Sequence, residues 1–192
     1  MALTYAAPDS PAASYARVAQ NEWLAWQIVE ELPEPGTLED VGSGFRFCST
    51  ATTDRCLEVD NFRFDQNNQL QDFTINDIPV SSVTMLPRET DYGGANIDLI
   101  FNGGMLFTSS DQIEFAVQIY NRGPDIELDM TRATYKDANG EFRDVMQYTG
   151  NETITTNQRM NLFVRTRGPA GGSFGVPSGT GAGEAWHWVP IR

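Results

Sequence analysis

Gln112-Ile113-Glu114-Phe115-Ala116-Val117-Gln118-Ile119-Tyr120-Asn121 decides the fold. Ile113, Phe115, Val117 and Ile119 alternate with Gln112, Glu114, Gln118 and Tyr120, the period of a strand with one face buried. Asn121-Arg122-Gly123-Pro124 then reads as a turn. A second alternation follows, with Ile126, Leu128 and Met130 set against Asp125, Glu127 and Asp129. Asp137-Ala138-Asn139-Gly140 supplies residues that tolerate the positive φ of a hairpin turn. Working outward, strands are expected at 95–101, 104–108, 112–121, 125–136, 141–148, 158–166 and 184–191. Short strands separated by turn signals predict a mainly β chain in which residues 83–192 form an immunoglobulin-like antiparallel β-sandwich. Gly168 to Gly183 is glycine-rich and reads as a long mobile loop before the last strand.

Upstream, residues 10–82 read as a small α+β module, one helix on an antiparallel meander. Asp9-Ser10-Pro11 has the form of a helix start, a capping side chain before a proline. The helix is expected to run to Leu32, where Pro33 and Pro35 end it. Tyr15, Val18, Ala25, Val29 and Leu32 keep helical spacing, and Trp23, Leu24, Trp26 and Ile28 widen the stripe. That face packs on its own sheet or docks another chain.

From Gly44 to Asn61 one antiparallel register explains several residues together. With Cys48 opposite Cys56, Phe47 meets Leu57 and Phe45 meets Val59 on one side. Arg46 meets Glu58 on the other as an opposite-charge pair. Directly opposed cysteines need only a small adjustment to join, so a Cys48–Cys56 disulfide is expected. A turn at Asn67-Asn68 would set Phe62 against Phe73 and Arg63 against Asp72, and the change of parity before Phe62 places a bulge near Asp60-Asn61. Asn76-Asp77 reads as another turn. Ile78-Pro79-Val80 leaves the sheet or runs along its edge, because proline cannot donate to an interior ladder. Ser81 to Gly94 reads as a connector.

The chain has 192 residues, 40% hydrophobic and 20% charged, enough apolar side chains for packed cores. Its 26 acidic and 13 basic residues leave a net charge of -13, which opposes phosphate backbones and anionic lipid, so no nucleic-acid partner is expected. No stretch approaches the roughly 18 apolar residues of a membrane span. The N-terminus has no basic segment followed by an apolar one, and a native signal or anchor segment is read as absent from this chain.

Gly171-Gly172-Ser173-Phe174-Gly175 matches the G-x-S-x-G string of a nucleophile elbow, but Pro169 and Pro177 flank it where a strand and a helix are required. Too little chain remains after the string to complete an α/β-hydrolase sheet, and His187, the single histidine, reads as structural. No catalytic residue is assigned. Asp125, Glu127 and Asp129 on one strand face, and Asp137, Asn139 and Glu141 at a hairpin, offer hard oxygen ligands for calcium. They serve equally as solvated edges that discourage strand pairing between molecules. No other cofactor is expected. Trp186 and Trp188 share one side of the last strand, opposite Ala185, His187 and Val189. Two adjacent indoles either stack on sugar rings or close a core. Asn151-Glu152-Thr153 is a glycosylation sequon.

Phe62-Arg63-Phe64-Asp65 with Leu70-Gln71-Asp72-Phe73-Thr74-Ile75-Asn76-Asp77-Ile78-Pro79-Val80, Val117-Gln118-Ile119-Tyr120-Asn121-Arg122-Gly123, and Tyr135-Lys136-Asp137-Ala138-Asn139-Gly140 carry a resemblance. The chain resembles actinobacterial secreted or membrane-anchored envelope proteins, in which a small module precedes an immunoglobulin-like sandwich. That resemblance implies an extracellular or cell-envelope location and a binding or scaffolding role, and it transfers no catalytic residue. The leading expectation is a non-enzymatic protein-interaction module. The alternatives are a carbohydrate-binding module that meets polysaccharide through Trp186 and Trp188, and a structural subunit of a larger assembly.

Overall fold

The computed structural model describes residues 5–28, 36–49, 56–86, 92–93, 96–108, 110–179 and 183–191, with backbone alone at 21–28, 49 and 92–93. Helix α1 spans Pro11–Ile28. Ser10 caps it as expected, its Oγ accepting from the Ala13 amide at 3.1 Å. The expected continuation to Leu32 and the prolines that end it lie outside the described residues, as do the side chains of Trp23, Leu24, Ala25 and Trp26.

Five strands form the first sheet in chain order: β1 Gly36–Asp40, β2 Gly44–Ser49, β3 Cys56–Phe64, β4 Leu70–Ile75 and β5 Ile78–Pro79. The β2–β3 register pairs Cys48 with Cys56, Phe47 with Leu57, Arg46 with Glu58 and Phe45 with Val59, as the hairpin reading predicts. The disulfide is present, with the two Cα atoms 4.1 Å apart. Arg63 pairs with Asp72, and the register shifts between Asp60 and Arg63, where Asn61 takes φ 52°. The prolyl strand β5 lies at the sheet edge, where a missing N–H breaks no ladder.

The remaining strands are β6 Thr84–Leu86, β7 Tyr92–Gly93, β8 Ile97–Phe107, β9 Gln112–Asn121, β10 Ile126–Glu127, β11 Thr134–Lys136, β12 Phe142–Thr149, β13 Thr153–Ile154, β14 Arg159–Arg167, β15 Gly172–Ser178 and β16 Ala185–Ile191. One hydrogen-bonded path joins most of them in the order β16-β15-β11-β12-β14-β9-β8-β6, with β7 beside β8 and a separate β10–β13 pair. Pairing within the sheets is antiparallel, so the mainly β class holds. Val189 and Ile191 of β16 share a core with Leu99 and Phe101 of β8, near the other end of the path, so the sheet curls around its own apolar face. Helix α1 lies between the two sheets: Ala12 and Ala13 pack with Phe73 and Val80, whereas Val18 packs with Met105, Ala116 and Phe163.

Four expectations for this region are corrected. The segments 95–101 and 104–108 are a single strand, β8, kinked by a register shift between Phe101 and Gly104 with Gly103 at φ 98°. The expected strand 125–136 is broken by a 3-10 turn at Met130–Arg132, because the Asp129 amide turns aside to the Pro177 carbonyl at 2.9 Å. Most consequentially, the expected glycine-rich loop contains β15, held between β11 and β16. Its glycines give room rather than freedom. Tyr135 Oη would stand 2.7 Å from a Cβ at Gly172, and Phe174 and Val176 point into the core. Part of the expected connector is also ordered, as β6 and a 3-10 turn at Val80–Ser82.

Candidate functional site

Strand pairing places Trp188, Gly175, Thr134 and Asp144 in one row across β16, β15, β11 and β12. The next row holds Pro190, Ser173, Lys136 and Phe142. Opposed residues on antiparallel strands share a face, so both rows and Trp186 lie on the outside of the curled sheet, while Val189 and Ile191 point inward. Neither indole belongs to the buried core: Trp186 is 39% exposed and Trp188 38%, beside Phe142 at 64%.

These side chains form a ladder. The two indoles stack at 5.6 Å between centroids with planes 18° apart, and Phe142 meets Trp188 edge-on at 6.5 Å. A cation sits at either end, the Arg132 guanidinium 5.7 Å from the Trp186 centroid and Lys136 Nζ 5.6 Å from that of Phe142. Glu184 fixes the first rung: it accepts two hydrogen bonds from Arg132, at 2.7 and 3.0 Å, and one from Trp186 Nε1 at 3.0 Å. The hydrogen bond from Arg132 holds the Glu184 carboxyl below its usual range and raises the guanidinium above its own. The ladder is thus organised before any ligand arrives.

Beside it runs a groove of about 400 Å³, lined by Met130, Thr131, Ala133, Asp144, Val145, Met146, Gln147 and Tyr148. The register of β12 shifts between Val145 and Gln147, a bulge that turns Met146 outward to 51% exposure. The Tyr148 hydroxyl donates to Glu152 Oε1 at 2.5 Å; that bond, with burial adding to it, pushes the phenol up to about 12. Among the described residues the Asp144 carboxylate meets no cation and accepts no hydrogen bond, while its main-chain carbonyl accepts from Thr166 Oγ1 at 2.9 Å.

The six calcium candidates fall apart into separate intrachain contacts. Asp125 accepts from the amide and hydroxyl of Thr156. Asp129 accepts from Thr131 at 2.5 Å, and Glu127, on the short strand β10, is exposed. Asp137 Oδ1 accepts from the amides of Asn139 and Glu141 while Oδ2 takes two bonds from Arg143, which also reaches Glu141. Burial raises the Asp137 carboxyl, but these amides and the guanidinium outweigh it and hold it below the usual range. Among the described residues no group of three or more His, Cys, Asp or Glu is arranged to hold a metal ion.

One pair escaped the sequence reading. Ser178 Oγ and His187 Nε2 lie 2.7 Å apart, from adjacent strands, so the chain does hold a serine and a base in contact. Burial pulls the imidazole below its usual range, and Ser178 is itself buried. Among the described residues His187 has no carboxylate partner to orient it, and Ser173 of the elbow-like string lies within β15 rather than at a strand-to-helix turn. Phe142, Arg132 and Lys136 were likewise unsingled in the sequence, because nothing near them in the chain shows that they meet the tryptophans.

No protein-family model matches this sequence, and no curated protein matches it. Among solved structures, the chain is similar to that described as "The crystal structure of a functionally unknown protein from Listeria monocytogenes EGD-e", with 12% identity, 57% of this chain and 88% of that chain covered, and a TM-score of 0.38.

Proposed function

We propose that this protein is a non-enzymatic binding module of the cell surface or extracellular space, and that it engages a protein partner through the ladder Arg132–Trp186–Trp188–Phe142 and the groove beside it. The carrying observation is the exposed indole stack on the outside of a curled sheet whose inner face is already filled. Tryptophan, tyrosine, methionine and arginine are enriched in protein interfaces, and the ladder supplies Trp186, Trp188 and Arg132 while the groove supplies Met146 and Tyr148. The Cys48–Cys56 bond favours an oxidising compartment. No helix among the described residues is long and apolar enough to cross a membrane. We read residues 83–192 as an immunoglobulin-like sandwich behind an α+β module at 10–82. Support comes from the core between β8–β9–β14 on one side and β15–β16–β11 on the other.

Carbohydrate binding is the second reading, motivated by the same exposed indoles. It needs a free ring face, whereas Trp186 is already stacked on Trp188 and approached by Arg132. Affinity isolation from envelope and secreted fractions of the source cell tests the choice, with the parent beside Trp186→Ala and Trp188→Ala. A protein retained by the parent and lost by both folded variants supports the proposal. Saturable fluorescence quenching by soluble polysaccharide, lost in the same variants, replaces it with the sugar-binding reading. Retention unchanged in both variants overturns it.

A further inference from the structure

The acids around the ladder are not equivalent. Glu184 is neutralised by Arg132, Asp129 is bonded to Thr131, and Glu152 receives the Tyr148 hydroxyl. Lys136 turns over the Phe142 ring, and Arg143 is committed to Asp137 and Glu141. Asp144 alone among the groove's lining carries a charge, and among the described residues no donor meets its carboxylate. Asp144 is exposed, as are Met146 and Tyr148 beside it in the lining, with polar Thr131 and Gln147 at the rim and buried Met130 and Ala133 beneath.

Resting on the protein-binding reading above, we propose that the partner presents a basic, extended segment and that an arginine or lysine of that segment enters the groove to pair with Asp144. An aliphatic stem would lie along exposed Met146 while the charged head reaches the carboxylate near Tyr148. A net charge of -13 attracts basic partners and repels acidic ones, so the charge of the whole molecule agrees with that of the groove. The row from Trp188 to Asp144 crosses three strand spacings, about 14 Å, which an extended chain covers in about four residues. The recognised segment therefore carries its basic residue about four positions from the apolar side chain that rests on the indoles.

The probe is N-acetyl-arginine N-methylamide, titrated into the whole chain and followed by heteronuclear NMR, with the isosteric citrulline derivative as the uncharged control. The expected result is saturable shifts at Asp144, Met146 and Tyr148, with arginine binding about fivefold or more tighter than citrulline at low salt. Asp144→Asn closes that gap, Asp144→Glu restores most of it, and Asp77→Asn, a remote charge control, leaves it unchanged. Equal binding of the two probes, a gap that survives in Asp144→Asn, shifts centred elsewhere, or no saturation overturns the proposal. A partner lost by Trp188→Ala but kept by Asp144→Asn would refute the cation site and leave the binding face standing. An Asp144-dependent arginine site beside a partner indifferent to both tryptophans would do the reverse.

Discussion

The indole of Trp188 lies over the α-carbon of Gly175 on the neighbouring strand, so closely that a β-carbon there would stand 2.6 Å from Cζ3 of the ring. The glycine is the seat of the ladder's second rung. Gly175→Ala pushes the ring outward, unstacks it from Trp186 and costs about 1–2 kcal/mol. Chemical denaturation and a red shift of tryptophan emission check this; an unchanged emission spectrum would mean that the indole does not need the seat.

The Cys48–Cys56 bond closes a segment with a sequence separation of 8 between two strands of the small sheet. Its loss frees that segment in the unfolded chain. The double variant Cys48→Ser/Cys56→Ser loses about 2–3 kcal/mol in urea unfolding. The outer ladder belongs to the other sheet, so its tryptophan emission in the folded state stays as in the parent.

Tyr135 and Tyr148 hold their protons up to about pH 12, by different causes. Burial raises Tyr135, whose hydroxyl donates to the Pro169 carbonyl at 2.7 Å, and the hydrogen bond to Glu152 raises Tyr148. Both folded values lie above the unfolded value of about 10. Their contribution to stability is therefore complete below about pH 10 and declines as pH rises toward 12. Spectrophotometric titration shows the late ionisation, and Tyr148→Phe removes one of its two steps.

For His187 the sign is opposite. Burial lowers its pKa, so the fold prefers the neutral ring, and stability is unaffected above the unfolded value of about 6.5 and falls as pH drops below it. His187→Gln flattens that acid limb in melting curves taken across the range. Because Ser178 is buried and the ring lacks an orienting acid among the described residues, a fluorophosphonate leaves Ser178 unlabelled in the folded protein. Labelling there would introduce an enzyme where a binding module is proposed.

Asp137 spends both oxygens on the amides of Asn139 and Glu141 and on Arg143. Calcium therefore leaves the melting temperature unchanged, whereas Asp137→Ala lowers it by freeing the turn and the guanidinium. A calcium-dependent rise would show that these oxygens can be recruited.

Sequence by itself determined what neighbours along the chain decide. The register of Cys48 with Cys56, the capping by Ser10, the bulge at Asn61 and the sharing of one face by Trp186 and Trp188 all follow from period, turn chemistry and proximity. Tertiary structure alone decided which face of the last strand is buried. An alternation of two shows that Trp186 and Trp188 oppose His187 and Val189, but the inner side is chosen by the distant strands that supply Phe101, Phe115 and Phe174. The same limit hid β15. Glycine promises freedom when read locally, and only the arrival of Tyr135 and Trp188 from other strands reveals that the space beside Gly172 and Gly175 is already taken.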